Sequence, residues 1–338
     1  MHNLVDPAIL FFALGAIAGL LKSNLEIPAP ISRFLSLYLL MALGLKGGFA
    51  LSHSGFTSEV MVTLMCAVGL AIITPCVGFQ ILKRLTSKYN AAAIAATYGS
   101  VSAVTFITAV QYAETHNIAY GGHMAAAMAL MESPAIIIAV LFANKFRQPS
   151  SSQPVVEGGS AAARDLQPSS TPTGRTSVGK ILHESLTDGS QLLLLGAIIV
   201  GLITGEPGKA AMKPFANDLF KGMLSFFLLD MGLMAARNLP SRGAQTPWVF
   251  VYGIVAPVVH ATLALGLSML LRLPAGDAGL LMTLAASASY IAVPAVVRYA
   301  IPEAQPSVYF GMALGITFPI NIVLGIPLYL ESARRILG

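Results

Sequence analysis

Runs of predominantly apolar residues follow one another along almost the whole chain, near residues 7–21, 31–51, 58–82, 90–112, 120–144, 187–204, 216–236, 247–271, 278–300 and 307–331. A bilayer crossing takes about 20 such residues, and in hydrocarbon a helix satisfies its own backbone polar groups, so the runs predict ten transmembrane helices. Composition agrees: 55% of residues are hydrophobic and 10% charged, against roughly 25% charged in soluble domains. The net charge of +5 is carried by short clusters beside the apolar runs, which is how topology signals are distributed, and it excludes a nucleic-acid partner in favour of the lipid bilayer. Cys66 and Cys76 lie in one apolar run and read as buried thiols rather than a disulfide or metal framework. No basic segment precedes the first run and no small-residue cleavage pattern follows it, so it is expected to be retained as a helix.

Between the fifth and sixth runs stands "RQPSSSQPVVEGGSAAARDLQPSSTPTGRTS", too polar and too rich in Ser, Pro and Gly to build a core, and therefore expected to be a flexible linker. It divides the chain into a five-helix unit (1–145), a linker (146–185) and a second five-helix unit (186–338). The halves repeat. "LGAIAGL" from Leu14 returns as "LGAIIVGL" from Leu195, each preceded by an aspartate, Asp6 and Asp188. Gly44, Gly78 and Arg84 match Gly232, Gly266 and Arg272, all 188 residues on; Ser100, Ser102 and Tyr112 match Ser287, Ser289 and Tyr299 at 187; Pro134 matches Pro319 at 185. Five spans is an odd number, so a shared fold places the second half upside down relative to the first, the inverted-repeat architecture of secondary transporters. Twelve Lys and Arg on the side of the linker against six on the other predict a cytoplasmic linker and both termini outside.

Two polar segments interrupt the apolar pattern at equivalent places. "YGSVSAVTF" (Tyr98 to Phe106) lies in the fourth span and "ASASYIAVP" (Ala286 to Pro294) in the ninth. Single hydroxyls in apolar helices bond back to their own backbone or join neighbouring helices. Paired S-x-S motifs, one preceded by Gly99 and the other followed by Pro294, instead suggest two interrupted helices facing each other. Their free N–H groups and hydroxyls suit a small anion, with Gly99, Ser100, Ser102, Thr105, Ser287, Ser289 and Tyr290 as the candidate substrate-binding residues. A cation requires oxygen ligands. Glu132 and Ser133 in "LMESPAI", with Thr317 and Asn321 in the equivalent "GITFPINI", form the candidate sodium set, because an intramembrane carboxylate is costly without a function; the alternative is a glutamate bonded within the helix bundle. Pro134 is expected to break the backbone ladder beside it. Lys46 and Asp230, in equivalent helices 2 and 7, are expected to form a buried ion pair, with a proton relay as the alternative. Arg298 either neutralises Glu132 or the substrate, or reaches to the interface. The glycines of "GLKGG" suit close helix packing. His123 and His260 lack a second ligand at metal spacing. The chain has no phosphate loop for ATP, no serine elbow and no other catalytic set, so it is not read as an enzyme and no organic cofactor is expected.

These residues resemble the sodium-dependent bicarbonate transporters of cyanobacteria, the SbtA family, and relatives in other bacteria. The likeness runs through "EIPAPISRFLSLYLLMALGLKGGFAL", "GSVSAVT", "MESPAI", "LFKGMLSFFLLDMGLMA", "SASYIAVPAVVRYAIPEAQPSVYFG" and "GIPLYL". The resemblance implies an all-α membrane protein with a gate domain (helices 1, 2, 6 and 7) and a core domain (helices 3 to 5 and 8 to 10) that moves as an elevator. It also implies a homotrimer in the bacterial inner membrane, bicarbonate and sodium bound near the breaks in helices 4 and 9, and, in some members, a cytoplasmic regulator of the PII type. Glu132 stands where the cyanobacterial pattern has an aspartate. The cyanobacterial run of four serines and an aspartate is "ASASY" here, with Tyr290 at the aspartate's position. The reading is a sodium-coupled symporter for bicarbonate or another small monoanion. Its alternatives are a proton- or sodium-coupled carrier of a small carboxylate, and a membrane receptor or scaffold, for which helices 4 and 9 would be continuous.

Overall fold

The computed structural model describes residues 6–55, 57–146, 189–237 and 247–338. The expected linker, 146–185, lies outside the described residues apart from Phe146. Among the described residues the elements are helices, without strands: α1 (Pro7–Leu20), α2 (Ala29–Ser54), α3 (Ser58–Leu82), α4 (Lys88–Gly99), α5 (Ala103–Thr115), α6 (Met124–Phe146), α7 (Gly189–Lys213), α8 (Phe220–Arg237), α9 (Pro247–Leu271), α10 (Ala275–Ala286), α11 (Ala292–Ala300) and the rod α12 (Pro306–Leu337). Seven described helical stretches are long and apolar enough to cross a membrane, one of them the 49-residue Gly189–Arg237 that contains α7 and α8; α1 and α10 are shorter apolar helices.

Local chemistry sets the helix starts. Asp6 caps α1 by accepting from Ala8 N at 2.8 Å, with Pro7 in the first turn, where its missing N–H removes no bond. Thr57 caps α3 and Ser87 caps α4 in the same way. The sixth apolar run, read as ending at 204, reaches a kink at Gly205, whose φ of +52° favours glycine, and a second helical segment follows to Lys213. Pro134 does not break α6, which runs through it to Phe146. The corresponding Pro319 lies between two wider π turns, Ala313–Thr317 and Asn321–Gly325, and such turns re-pair the backbone around a residue that cannot donate.

The most extensive helix contacts join α1 to α8 and α2 to α7. Both pairs approach through glycine. A Cβ on Gly15 would stand 2.1 Å from Leu229 O and one on Gly232 2.2 Å from Phe12 O; in the second pair, Cβ atoms on Gly48 and Gly201 would stand 2.2 Å from Ile198 O and 2.7 Å from Leu45 O. Backbones this close gain dispersion and polar contact where lipid offers no hydrophobic drive to association. The remaining helices form a second set, in which α3 packs on α4 and α6, and α10 packs on α9 and α12. The broken helices α4–α5 and α10–α11 lie in this second set, and α4 and α10 are buried along their length.

Candidate functional site

Both interrupted helices are present. The chain leaves α4 after Gly99 into extended conformations at Ser100 (φ −90°, ψ −179°) and Ser102 (φ −104°, ψ 112°), then enters α5. It leaves α10 at Ser287 (φ −77°, ψ 164°) and enters α11 at Ala292. Gly99 is required by space, since a Cβ there would stand 2.6 Å from the Pro75 ring. The breaks touch each other: Ser102 N donates to Ser287 Oγ at 2.9 Å, and Ser289 N donates to the Thr97 carbonyl at 2.8 Å. Ser287 Oγ in turn donates to Leu284 O at 2.8 Å, and Asn321 Nδ2 donates to Ala286 O at 2.8 Å, so the end of α10 is satisfied by side chains. Both helices are interrupted, so the continuous helices that would have favoured the receptor or scaffold alternative are not found.

Ser102 and Ser289 stand before the second half-helices, and both side chains bond to those helices' backbones. Ser102 Oγ caps α5, accepting from Thr105 N at 3.2 Å and Thr105 Oγ1 at 3.0 Å; Ser289 Oγ accepts from Val293 N at 3.2 Å at the start of α11. Their oxygens are therefore engaged as acceptors from Thr105 N and Val293 N, and the Ser102 and Thr105 hydroxyls share one further hydrogen bond. Tyr290 is 4% exposed and its hydroxyl has no hydrogen-bond partner. Ser102 is its polar neighbour. All three side chains line one cavity of about 90 Å³, closed by Ser36 and Leu40 of α2, Met128 and Glu132 of α6, and Ser190, Gln191 and Leu194 of α7. That is room for several waters or one small polyatomic ion, well short of the roughly 300–1,000 Å³ that holds a drug-sized ligand.

Among the described residues, Glu132 is the one ionisable acidic or basic side chain on the cavity wall. Gln191 Nε2 donates to Glu132 Oε2 at 2.8 Å and lies 3.5 Å from Ser133 Oγ, and Ser100 Oγ donates to the Glu132 carbonyl at 3.2 Å. A carboxylate beside a hydroxyl is oxygen-ligand chemistry suited to a hard cation. The other half of the expected sodium set is elsewhere. Thr317 Oγ1 donates to Gly253 O at 2.7 Å and shares a 2.6 Å hydrogen bond with Tyr98, while Asn321 is held between Ala286 and Tyr329. Neither lines the cavity. Thr105 and Ser287 are buried behind it, supporting the two breaks.

The expected Lys46–Asp230 ion pair is not formed. Lys46 Nζ bonds Glu114 at 3.0 and 3.1 Å, with the Tyr120 hydroxyl donating to the same carboxylate at 3.0 Å and the Phe220 ring 4.2 Å beneath the ammonium. Asp230 accepts from Ser32 Oγ at 2.5 Å. Helix α5 extends to Thr115, three residues beyond the apolar run, and this extra turn carries Glu114 to Lys46. Arg298 is exposed in the last turn of α11 and is not part of the cavity wall, which favours its reach to the interface. Sequence reasoning missed Gln191 and Ser36; both are polar residues near the ends of apolar runs, and only helix packing reveals that they face the cavity.

Residues 7–334 match the Na+-dependent bicarbonate transporter superfamily. The chain belongs to that family. The match covers both helix sets and both breaks, and it makes the chain a multi-pass membrane transporter rather than an enzyme. No curated protein matches it. Among the described residues, no group of three or more His, Cys, Asp or Glu side chains is placed to hold a metal ion.

Proposed function

We propose that this chain is a sodium-coupled symporter that imports bicarbonate, or a monoanion of similar size, across the bacterial inner membrane. The observation that carries the anion assignment is the convergence of the Ser102, Ser289 and Tyr290 hydroxyls on one small cavity, the Tyr290 hydroxyl buried there without a hydrogen-bond partner of its own. A hydrogen-bond donor without an acceptor calls for a ligand rich in lone pairs, and an oxyanion supplies them without an arginine that would retain it. The first turns of α5 and α11 add N–H groups and positive dipole ends on the same wall.

In this reading the ten helical spans form two inverted repeats. The glycine-packed set α1, α2, α7 and α8 is the gate, and the set holding both breaks is the core that moves against it. The protein assembles as a homotrimer, with both termini outside and the linker cytoplasmic. Sodium takes Glu132 and Ser133 and offsets the repulsion an anion would meet beside an ionised carboxylate.

The test is uptake of labelled bicarbonate into proteoliposomes. An inward sodium gradient is expected to drive it, and Glu132→Gln, which keeps the side-chain shape but removes its charge, is expected to abolish the sodium dependence. Sodium-independent uptake by the unaltered chain would refute the coupling. Competition by acetate or pyruvate at concentrations equal to bicarbonate would refute the assignment to a very small anion.

A further inference from the structure

Glu132 and its partner Gln191 belong to different helix sets: Glu132 is on α6, packed with α3 and α4, whereas Gln191 opens α7, packed along α2. Gln191 is 4% exposed, and its amide N–H reaches Glu132 Oε2 at 2.8 Å, a hydrogen bond that orients the carboxyl group. A cation approaching that oxygen must compete with the N–H for the same lone pairs. When the core slides against the gate, Glu132 travels with α6 and Gln191 stays with α7, so the competition operates in one conformation only.

We propose that Gln191 is a positioning residue that weakens cation binding at Glu132 in the conformation described here, so that the coupling ion is discharged on the face where α7 begins. This rests on the symport reading above. It assigns to one neutral side chain the difference in ion affinity between the two faces that a symporter needs, since an ion held equally tightly on both sides would not be released after entry.

The experiment uses proteoliposomes of a single orientation, with sodium varied independently on each side and bicarbonate uptake measured. In Gln191→Leu, sodium on the α7 face should inhibit uptake at a concentration about tenfold lower than in the unaltered protein, the effect expected for losing a competing hydrogen bond to a charged group. The half-saturating sodium concentration on the opposite face should stay the same. If the leucine variant does not fold, Gln191→Met, which matches the side-chain length and lacks the N–H donor without adding charge, must shift the same value in the same direction. A shift that is equal on both faces, or absent, in a protein that still shows sodium-driven uptake overturns this proposal alone. Absence of sodium-driven uptake in the unaltered chain overturns the symport reading with it.

Discussion

Replacing Tyr290 with phenylalanine should change stability and binding in opposite directions. The hydroxyl is buried and has no hydrogen-bond partner, and leaving a buried hydroxyl in that state costs about 1–3 kcal/mol. Its ring is held edge-on against Phe318, with centroids 5.1 Å apart at 62°, and Phe318 packs in turn on Phe12 at 5.5 Å. Tyr290→Phe keeps this aromatic chain and deletes only the oxygen. The substrate-free protein should therefore unfold at a higher temperature than the unaltered chain. The hydroxyl's contribution appears only when an anion accepts its hydrogen. A hydrogen bond to a charged group contributes about 1.5–3 kcal/mol, so bicarbonate should bind roughly 10- to 150-fold more weakly in the variant. Thermal unfolding in detergent with and without bicarbonate reads both quantities from one preparation, and the half-saturating concentration for uptake checks the second. A variant that is less stable without substrate would show that the hydroxyl has a protein partner. An unchanged bicarbonate affinity would show that it does not face the anion.

Ser102→Ala removes the side-chain cap of α5 and Ser289→Ala the hydrogen bond to Val293 N, each worth about 1 kcal/mol, together with a cavity hydroxyl. Both should lower the unfolding temperature and raise the half-saturating bicarbonate concentration at least tenfold; a loss of stability with unchanged affinity would reduce these serines to caps. Gly48→Val places a Cβ 2.2 Å from Ile198 O and should destabilise by about 1–3 kcal/mol or more through forced separation of α2 and α7, while Gly69→Ala, with nothing within 4 Å, should be neutral or slightly stabilising. Equal effects on unfolding temperature would contradict the close approach. Lys46→Met and Glu114→Gln, measured singly and together, should show a coupling of about 1 kcal/mol across their 3.0 Å contact, and a coupling of zero would mean the pair does not hold α2 to α5.

The sequence showed the spans because lipid demands apolar runs of fixed length, and it showed the breaks because serine pairs at a constant offset are hard to reconcile with a continuous apolar helix. It failed where repeat equivalence was taken for contact. Residues at equivalent places in the two halves of the sequence meet only where their helices pass close to each other. The S-x-S segments do so, which is why Ser102 bonds Ser287 and Ser289 bonds Thr97. Lys46 and Asp230 occupy equivalent helices, α2 and α8, but the main partner of α2 is α7, so each finds its bond elsewhere, with Glu114 and Ser32. Likewise Glu132 reaches the cavity from α6, while Thr317 and Asn321 on α12 turn to Gly253, Tyr98, Ala286 and Tyr329. Gln191 and Glu132 are 59 residues apart and Lys46 and Glu114 are 68 apart, and no periodicity links either pair, because side-chain reach across packed helices is fixed by crossing geometry rather than by spacing along the chain. In the symport reading proposed above the asymmetry has a chemical consequence: the two breaks would supply donors for the anion, while among the described lining residues the carboxylate for the cation comes from α6 alone. A site built this way would present donors on both sides of the anion and a negative charge on one side, and so would orient a small anion and its companion cation relative to each other.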